Sequence, residues 1–184
     1  MKKIILIITL VLIASKLCGQ EMAISTNLAG YANFGTLNME AAYGLSQHWS
    51  VNAGIKYNPF SFPTKDGSSQ MQNRQQAFAI GTRYWPWHIY SGWWLAGHMQ
   101  AQQFNVGGIR AIETTEGDRL GGGISAGYTY MLHQHLNLEF GVGMWTGYEK
   151  FITYACPVCG VIIDSGEKLF LKPNDIILSL TYVF

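Results

Sequence analysis

The sequence predicts an all-β chain: an eight-stranded antiparallel transmembrane β-barrel, an up-and-down meander, preceded by a cleaved signal peptide. Three observations predict it. Residues 176–184 place Ile176, Leu178, Leu180, Tyr182 and Phe184 on one face at period two, with Ser179 and Thr181 opposite, and end on an aromatic. The same alternation recurs along the chain, each time with one apolar and one polar or glycine face. The connections alternate between short and long, which is how membrane barrels thread their turns and outer loops.

At the amino end, Lys2 and Lys3 precede an apolar run from Ile4 to Ile13. That is the length of a secretory h-region, short of the ~20 residues a membrane helix needs. The expectation is a signal peptide over 1–19, cut after Gly19, and a barrel domain over 20–184. Leu17 is a mediocre residue three before the cut, and Ser15, Lys16 and Leu17 lack the small residue that lipid attachment at Cys18 would want. No second apolar helix follows, so the mature chain spans a membrane as a barrel or not at all.

The strands come in order. A poorer one lies at 23–31. The next, 37–45, sets Leu37, Met39, Ala41, Tyr43 and Leu45 against Asn38, Glu40, Ala42 and Gly44. In 48–57, Trp49, Val51, Ala53, Ile55 and Tyr57 oppose Ser50, Asn52, Gly54 and Lys56. Then Phe78, Ile80, Thr82 and Tyr84 oppose Ala79, Gly81 and Arg83, and a mixed strand covers 93–104. Ile124, Ala126, Tyr128 and Tyr130 oppose Ser125, Gly127 and Thr129; Leu136, Leu138, Phe140, Val142 and Met144 oppose Asn137, Glu139, Gly141 and Gly143. With the closing strand these make eight, the smallest common barrel. The connections at 46–48, 86–91 and 133–135 are short, whereas 58–74, 105–119 and 151–173 are long and polar; only the first, 32–35, is tight on that side.

Composition agrees. The 21 Gly and 14% aromatics suit an all-β chain. Without Lys2, Lys3 and Lys16 the 12 basic residues become 9 against 11 acidic ones, a formal charge of −2, which argues against nucleic acid as a partner. Two aromatic belts are expected: Trp49, Tyr84, Trp85, Trp87, Trp93, Trp94, Tyr182 and Phe184 on the short-turn side, and Tyr31, Phe34, Tyr57, Phe60, Phe62, Tyr148 and Phe151 on the other.

The inward face carries Glu40, Lys56, Arg83 and Glu139 among Asn27, Asn38, Asn52, His98, Gln100, Gln102, Asn137, Ser179 and Thr181. Two acids and two bases in so narrow a lumen must pair, so a salt-bridge network that closes the barrel is expected in preference to a conducting pore. Cys156 and Cys159 frame a Cys-Pro-Val-Cys-Gly motif. Zinc wants four ligands and a thioredoxin-like centre a helix amino terminus. In an oxidising compartment a disulfide clipping the last long loop is the plainer reading, with a metal site shared with another chain, or redox chemistry, left as alternatives. His48, His88, His133 and His135 fall on the short-turn rim and His98 within a strand without an evident Ser partner, so no catalytic set and no cofactor is expected, and a metal site at His133, His135 and His48 is the lesser reading.

Ser25–Leu28, Trp49-Ser-Val running to Tyr57-Asn-Pro-Phe60, Arg83-Tyr-Trp85, Gln103-Phe-Asn-Val-Gly-Gly-Ile109, Leu136–Glu139 with Gly141-Val-Gly143, and the Cys-x-x-Cys-Gly of 156–160 are similar to a small outer-membrane β-barrel family of Bacteroidetes catalogued as a domain of unknown function. The similarity covers essentially the whole mature chain; the aromatic turn Trp85-Pro-Trp87 and the Pro157 after Cys156 depart mildly from it. It implies residence in a Gram-negative outer membrane, association of some members with fimbrial or adhesin loci, and no established catalysis. The expected role is therefore a non-catalytic surface-loop platform or anchor for another envelope or fimbrial component, its loops facing the cell exterior. Its partners would be outer-membrane lipid and the barrel-assembly machinery, which reads Leu178, Leu180, Tyr182 and Phe184 as its signal. A lipid-modifying deacylase or acyltransferase and a narrow channel are the alternatives.

Overall fold

The structure, a computed structural model, describes residues 22–63, 70–108, 112–156 and 160–184. The signal-peptide expectation falls outside them. Among the described residues nine strands and one short helix follow in order: β1 (Met22–Asn27), α1 (Leu28–Ala32), β2 (Leu37–Gly44), β3 (Trp49–Asn58), β4 (Ser61–Pro63), β5 (Gln70–Tyr84), β6 (Gly92–Gly107), β7 (Thr114–His133), β8 (Leu136–Tyr154) and β9 (Ile162–Val183). Neighbours pair antiparallel, and β1 meets both β2 and β9 while β3 meets β5, so the sheet closes on itself. Asn58 faces Gln75 and Ser61 faces Gln72, so β4 continues the line of β3 along β5 and the barrel has eight staves.

Following paired residues round from Ser25 leads through Glu40, Gly54, Ala79, Gln100, Gly121 and Gly147 to Phe170 on β9. Yet the β9 partner of Ser25 is Thr181. That offset is the shear that tilts the strands of a closed barrel.

Alternation then decides what is buried, and the result is inside out. Among the described residues nine hydrophobic ones are buried against fifteen polar or charged ones, while Leu120, Ile124, Val142, Leu169 and Ile176 lie more than half exposed on the outer wall. A chain folded around an ordinary oily core would show the reverse. The outer face is apolar up to Phe78 on β5, Ala101 on β6, Leu120 on β7, Tyr148 on β8 and Leu169 on β9. Two residues on it turns polar at Gln76, Gln103, Asp118, Lys150 and Glu167, themselves consecutive partners across the ladder.

Two expectations change here. The strand predicted over 23–31 stops at Asn27, because its side chain competes with the ladder: Oδ1 accepts from Ala29 N at 3.0 Å, capping α1, and from Leu178 N at 3.1 Å, while Nδ2 donates to Ile176 O. The long polar segments at 58–74, 105–119 and 151–173 are largely strand, since β5 to β9 run 15, 16, 20, 19 and 22 residues. Side chains tie this raised wall across its outer face. Ser61 Oγ donates to Gln72 Oε1, Gln72 Nε2 to Asn105 Oδ1 at 2.6 Å, Asn105 Nδ2 to Glu116 Oε2 at 3.0 Å, and Tyr154 OH to Glu116 Oε1 at 2.8 Å. By accepting a hydrogen bond from the Tyr154 phenol, the Glu116 carboxylate favours its protonated form and holds it above its ordinary range. Polarity alone suggested loops; cross-strand amide and carboxylate pairing makes the same residues a sheet.

The lower end is floored by the 85–91 turn. Trp85, Tyr90 and Trp94 pack with Ala23 and Val183 in the one buried apolar cluster described. Trp85 and Trp94, expected in an aromatic belt, are 0% and 1% exposed and lie inside the barrel. Trp85 Nε1 donates to Ser50 Oγ at 2.9 Å, and Asn137 Nδ2 to Tyr90 O at 2.8 Å. The large Trp94 ring fits because Gly127 and Gly141 stand against it; a Cβ on Gly127 would collide with that ring and with Phe140 O.

Candidate functional site: two charged layers in the lumen

Above the floor, β5 points Arg83 inward from the same face as Ala79 and Gly81. Its guanidinium lies 4.6 Å over the Trp94 ring, donates through Nη1 to Glu139 Oε2 at 2.8 Å and through Nη2 to Glu40 Oε1 at 2.5 Å. Glu139 is 1% exposed, and its second oxygen accepts from Thr181 Oγ1 at 3.0 Å. One cation thus holds two carboxylates from β2 and β8 across the lumen, with a cation–π contact beneath. Of the four residues predicted from sequence, the structure brings Arg83, Glu40 and Glu139 together. Lys56 lines the cavities higher up β3.

A second layer, missed in the sequence, lies nearer the mouth. Arg119 on β7 stacks 3.5 Å over the Phe104 ring and donates through Nε to Glu149 Oε2. Glu149, 2% exposed on β8, also meets Lys172 Nζ at 2.8 Å and Lys168 Nζ at 3.4 Å, both from β9. Here three cations share one carboxylate, beside Trp145 and Phe170 with ring centroids 4.5 Å apart. The signal was present: Arg119 is in phase with inward-facing Thr129, Gly127 and Ser125, and Glu149 with Glu139, had the alternation been followed past the expected strand ends.

Between and above the layers are cavities. One of about 100 Å³ is walled by Asn52, Gln100, His98, Ser125 and Ser179; another of about 210 Å³ is bounded by Asn33, Gln102, Phe104, Arg119, Trp145 and Lys172. The α1 connection leans over the latter. Phe34 and Gly35 take left-handed φ of 54° and 73°, Asn58 Nδ2 holds Phe34 O and Thr36 Oγ1 at 3.2 and 3.1 Å, and Asn73 Nδ2 donates to Asn33 Oδ1 at 3.0 Å.

Remaining predicted positions are placed as follows. Leu178, Leu180, Tyr182 and Phe184 point outward, with Tyr182 and Phe184 rings 5.1 Å apart. Cys156 is disulfide-bonded, and Cys159 lies outside the described residues. His48 Nδ1 donates to Trp85 O at 2.9 Å and His135 Nδ1 to Val183 O at 2.8 Å, so two rim histidines bind backbone carbonyls. His98 lines the lumen.

A family model described as Protein of unknown function (DUF3575) matches residues 4–184. No curated protein and no solved structure matches the chain.

Proposed function

From the premise that the chain belongs to the DUF3575 family of proteins of unknown function, we propose that it is an outer-membrane barrel whose raised wall is a non-catalytic platform for another envelope or fimbrial component, facing the cell exterior. The wall carries this reading. β7, β8 and β9 run 20, 19 and 22 residues, about ten more than the ~9–11 a tilted strand needs to cross a bilayer. At ~3.3 Å per residue the surplus stands roughly 30 Å along the strands, and its outer face is charged and tied by side-chain hydrogen bonds. A sheet that ordered, reaching past an apolar belt, suits recognition better than catalysis. Below it, the outward apolar positions meet lipid, the lower layer and floor block conduction, and the outward face of Leu178, Leu180, Tyr182 and Phe184 offers the assembly machinery its signal.

The test has two steps. Cells are fractionated and the membrane fraction is run on a gel with and without boiling. A heat-dependent shift in the outer-membrane fraction is expected; release as soluble protein overturns insertion. Shortening β5 to β9 to tight turns just past Gln76, Gln103, Asp118, Lys150 and Glu167 should then keep the shift and abolish cross-linking to an envelope protein. Cross-linking that survives the trimming puts the recognition surface elsewhere.

A further inference from the structure

We propose that the upper lumen is a binding site for a small anion built on a polyol, of the class of a sugar acid or a sugar phosphate. The proposal stands apart from the platform reading, since it rests only on the lumen.

The charge count comes first. Among the described residues Arg119, Lys168 and Lys172 converge on Glu149, three cations on one carboxylate, whereas the lower layer gives Arg83 two carboxylates. Lys168 and Lys172 are 53% and 40% exposed and share the surplus with water, whereas Arg119 is sheltered, and a bound anion offsets the charge there. Among the described residues no carboxylate lines the 210 Å³ cavity beside Arg119 and Lys172.

Hydrogen bonding points the same way. Arg119 uses only Nε on Glu149, and among the described residues neither of its Nη nitrogens has a hydrogen-bond partner. Its side chain is 13% exposed and lines the cavity. The outer edge of a guanidinium is a fork that a carboxylate or phosphate meets with two parallel bonds. Gln100 supplies the complementary need. It is 4% exposed, lines the same cavity, and its Oε1 has no hydrogen-bond partner. A carbonyl oxygen wants a donor, which an anion lacks and a hydroxyl provides.

Size and walls fit. At ~30 Å³ per water the cavity holds roughly seven waters, room for one sugar ring and not for a chain of them. Phe104 and Trp145 give it flat apolar sides, the usual setting for a few directed polar groups. Lys168, half exposed at the mouth, stands where an anion would enter.

Full-length protein folded in detergent micelles is titrated calorimetrically with glucuronate, glucose 6-phosphate and glucose. The two anions distinguish a carboxylate from a phosphate ligand, and glucose is the neutral control. Heat is expected from at least one anion, with little from glucose. Lys172→Gln should weaken that binding roughly tenfold, the loss of one charge-assisted contact. Glu149→Gln should tighten it, because the competing carboxylate is gone; a purely structural Glu149 would not do this. The gel shift on boiling reports that each variant is folded. Should a variant fail to fold, the wild-type affinity measured against rising sodium chloride replaces it and must fall. Silence from both anions in the wild type, glucose binding as well as they do, or affinity indifferent to salt overturns the proposal.

Discussion

The two inward arginines make the instructive comparison. Each leaves a strand on the lumen face, lies over an aromatic ring and meets a glutamate from β8. Around Arg83 the count is one cation to two carboxylates, with a tryptophan floor directly below. Around Arg119 it is three cations to one carboxylate, with a cavity alongside. The same chemical device serves twice with opposite ends engaged: in the lower layer both terminal nitrogens of the guanidinium meet carboxylates while Nε has no partner, and in the upper, among the described residues, Nε is bonded and the terminal nitrogens are not. A fork closed by two carboxylates makes a bolt; a fork left open beside a cavity makes a site.

The largest expected effect separates the two directly. Arg83→Met leaves the buried Glu139 and the partly exposed Glu40 without their cation and should cost about 3–5 kcal/mol. Arg119→Met leaves Glu149 with Lys172 and Lys168 and should cost roughly 1.5 kcal/mol. Urea unfolding of the two variants in micelles measures both, and equal losses would break the contrast. Ser50→Ala sharpens the lower half of it. Trp85 Nε1 would lose its partner in the dry floor, costing about 1–3 kcal/mol, and the near-ultraviolet signal of the tryptophan cluster should change while the Arg119 layer is untouched. The smallest effect belongs to the rim: Lys168→Gln, at a side chain 53% exposed, should shift stability by less than ~1 kcal/mol. A larger loss there would mean the upper layer is as structural as the lower.

Strand phase was legible in the sequence because a closed barrel with a polar lumen and an apolar outer wall enforces period two on both faces. Glu40, Arg83 and Glu139 follow from it without further knowledge. Trp94 is legible as well: it shares its parity with the lumen-facing His98, Gln100 and Gln102, and strand phase outweighs the preference of strand-end tryptophans for an interface. Trp85 was not legible, since it lies past the end of β5 in a turn that folds back into the lumen, where alternation has no say. Arg119, Glu149 and Lys172 were hidden for a third reason. The expected strands stopped where apolar residues stopped, yet the ladder continues through polar segments held by side-chain pairing. The contact of Lys56 with the upper cavity depends on shear, which no single strand's pattern encodes.

The seam of the barrel bears on how it is made. β1 holds β9 over five residue pairs only, Ala23–Asn27 against Val183–Ser179, whereas β9 is laddered to β8 along nearly its whole length. The Asn27 side-chain bond to Leu178 spans 151 positions of the chain, so this closure demands by far the largest loop entropy in the molecule. The hairpins from β5 to β9 need no such search. The barrel is therefore a sheet that can zip from its long-stranded side and latch last where β1 meets β9, and amide hydrogens of β1, held by four pairs to β2 and five to β9, should be the first to exchange with solvent when the latch lifts.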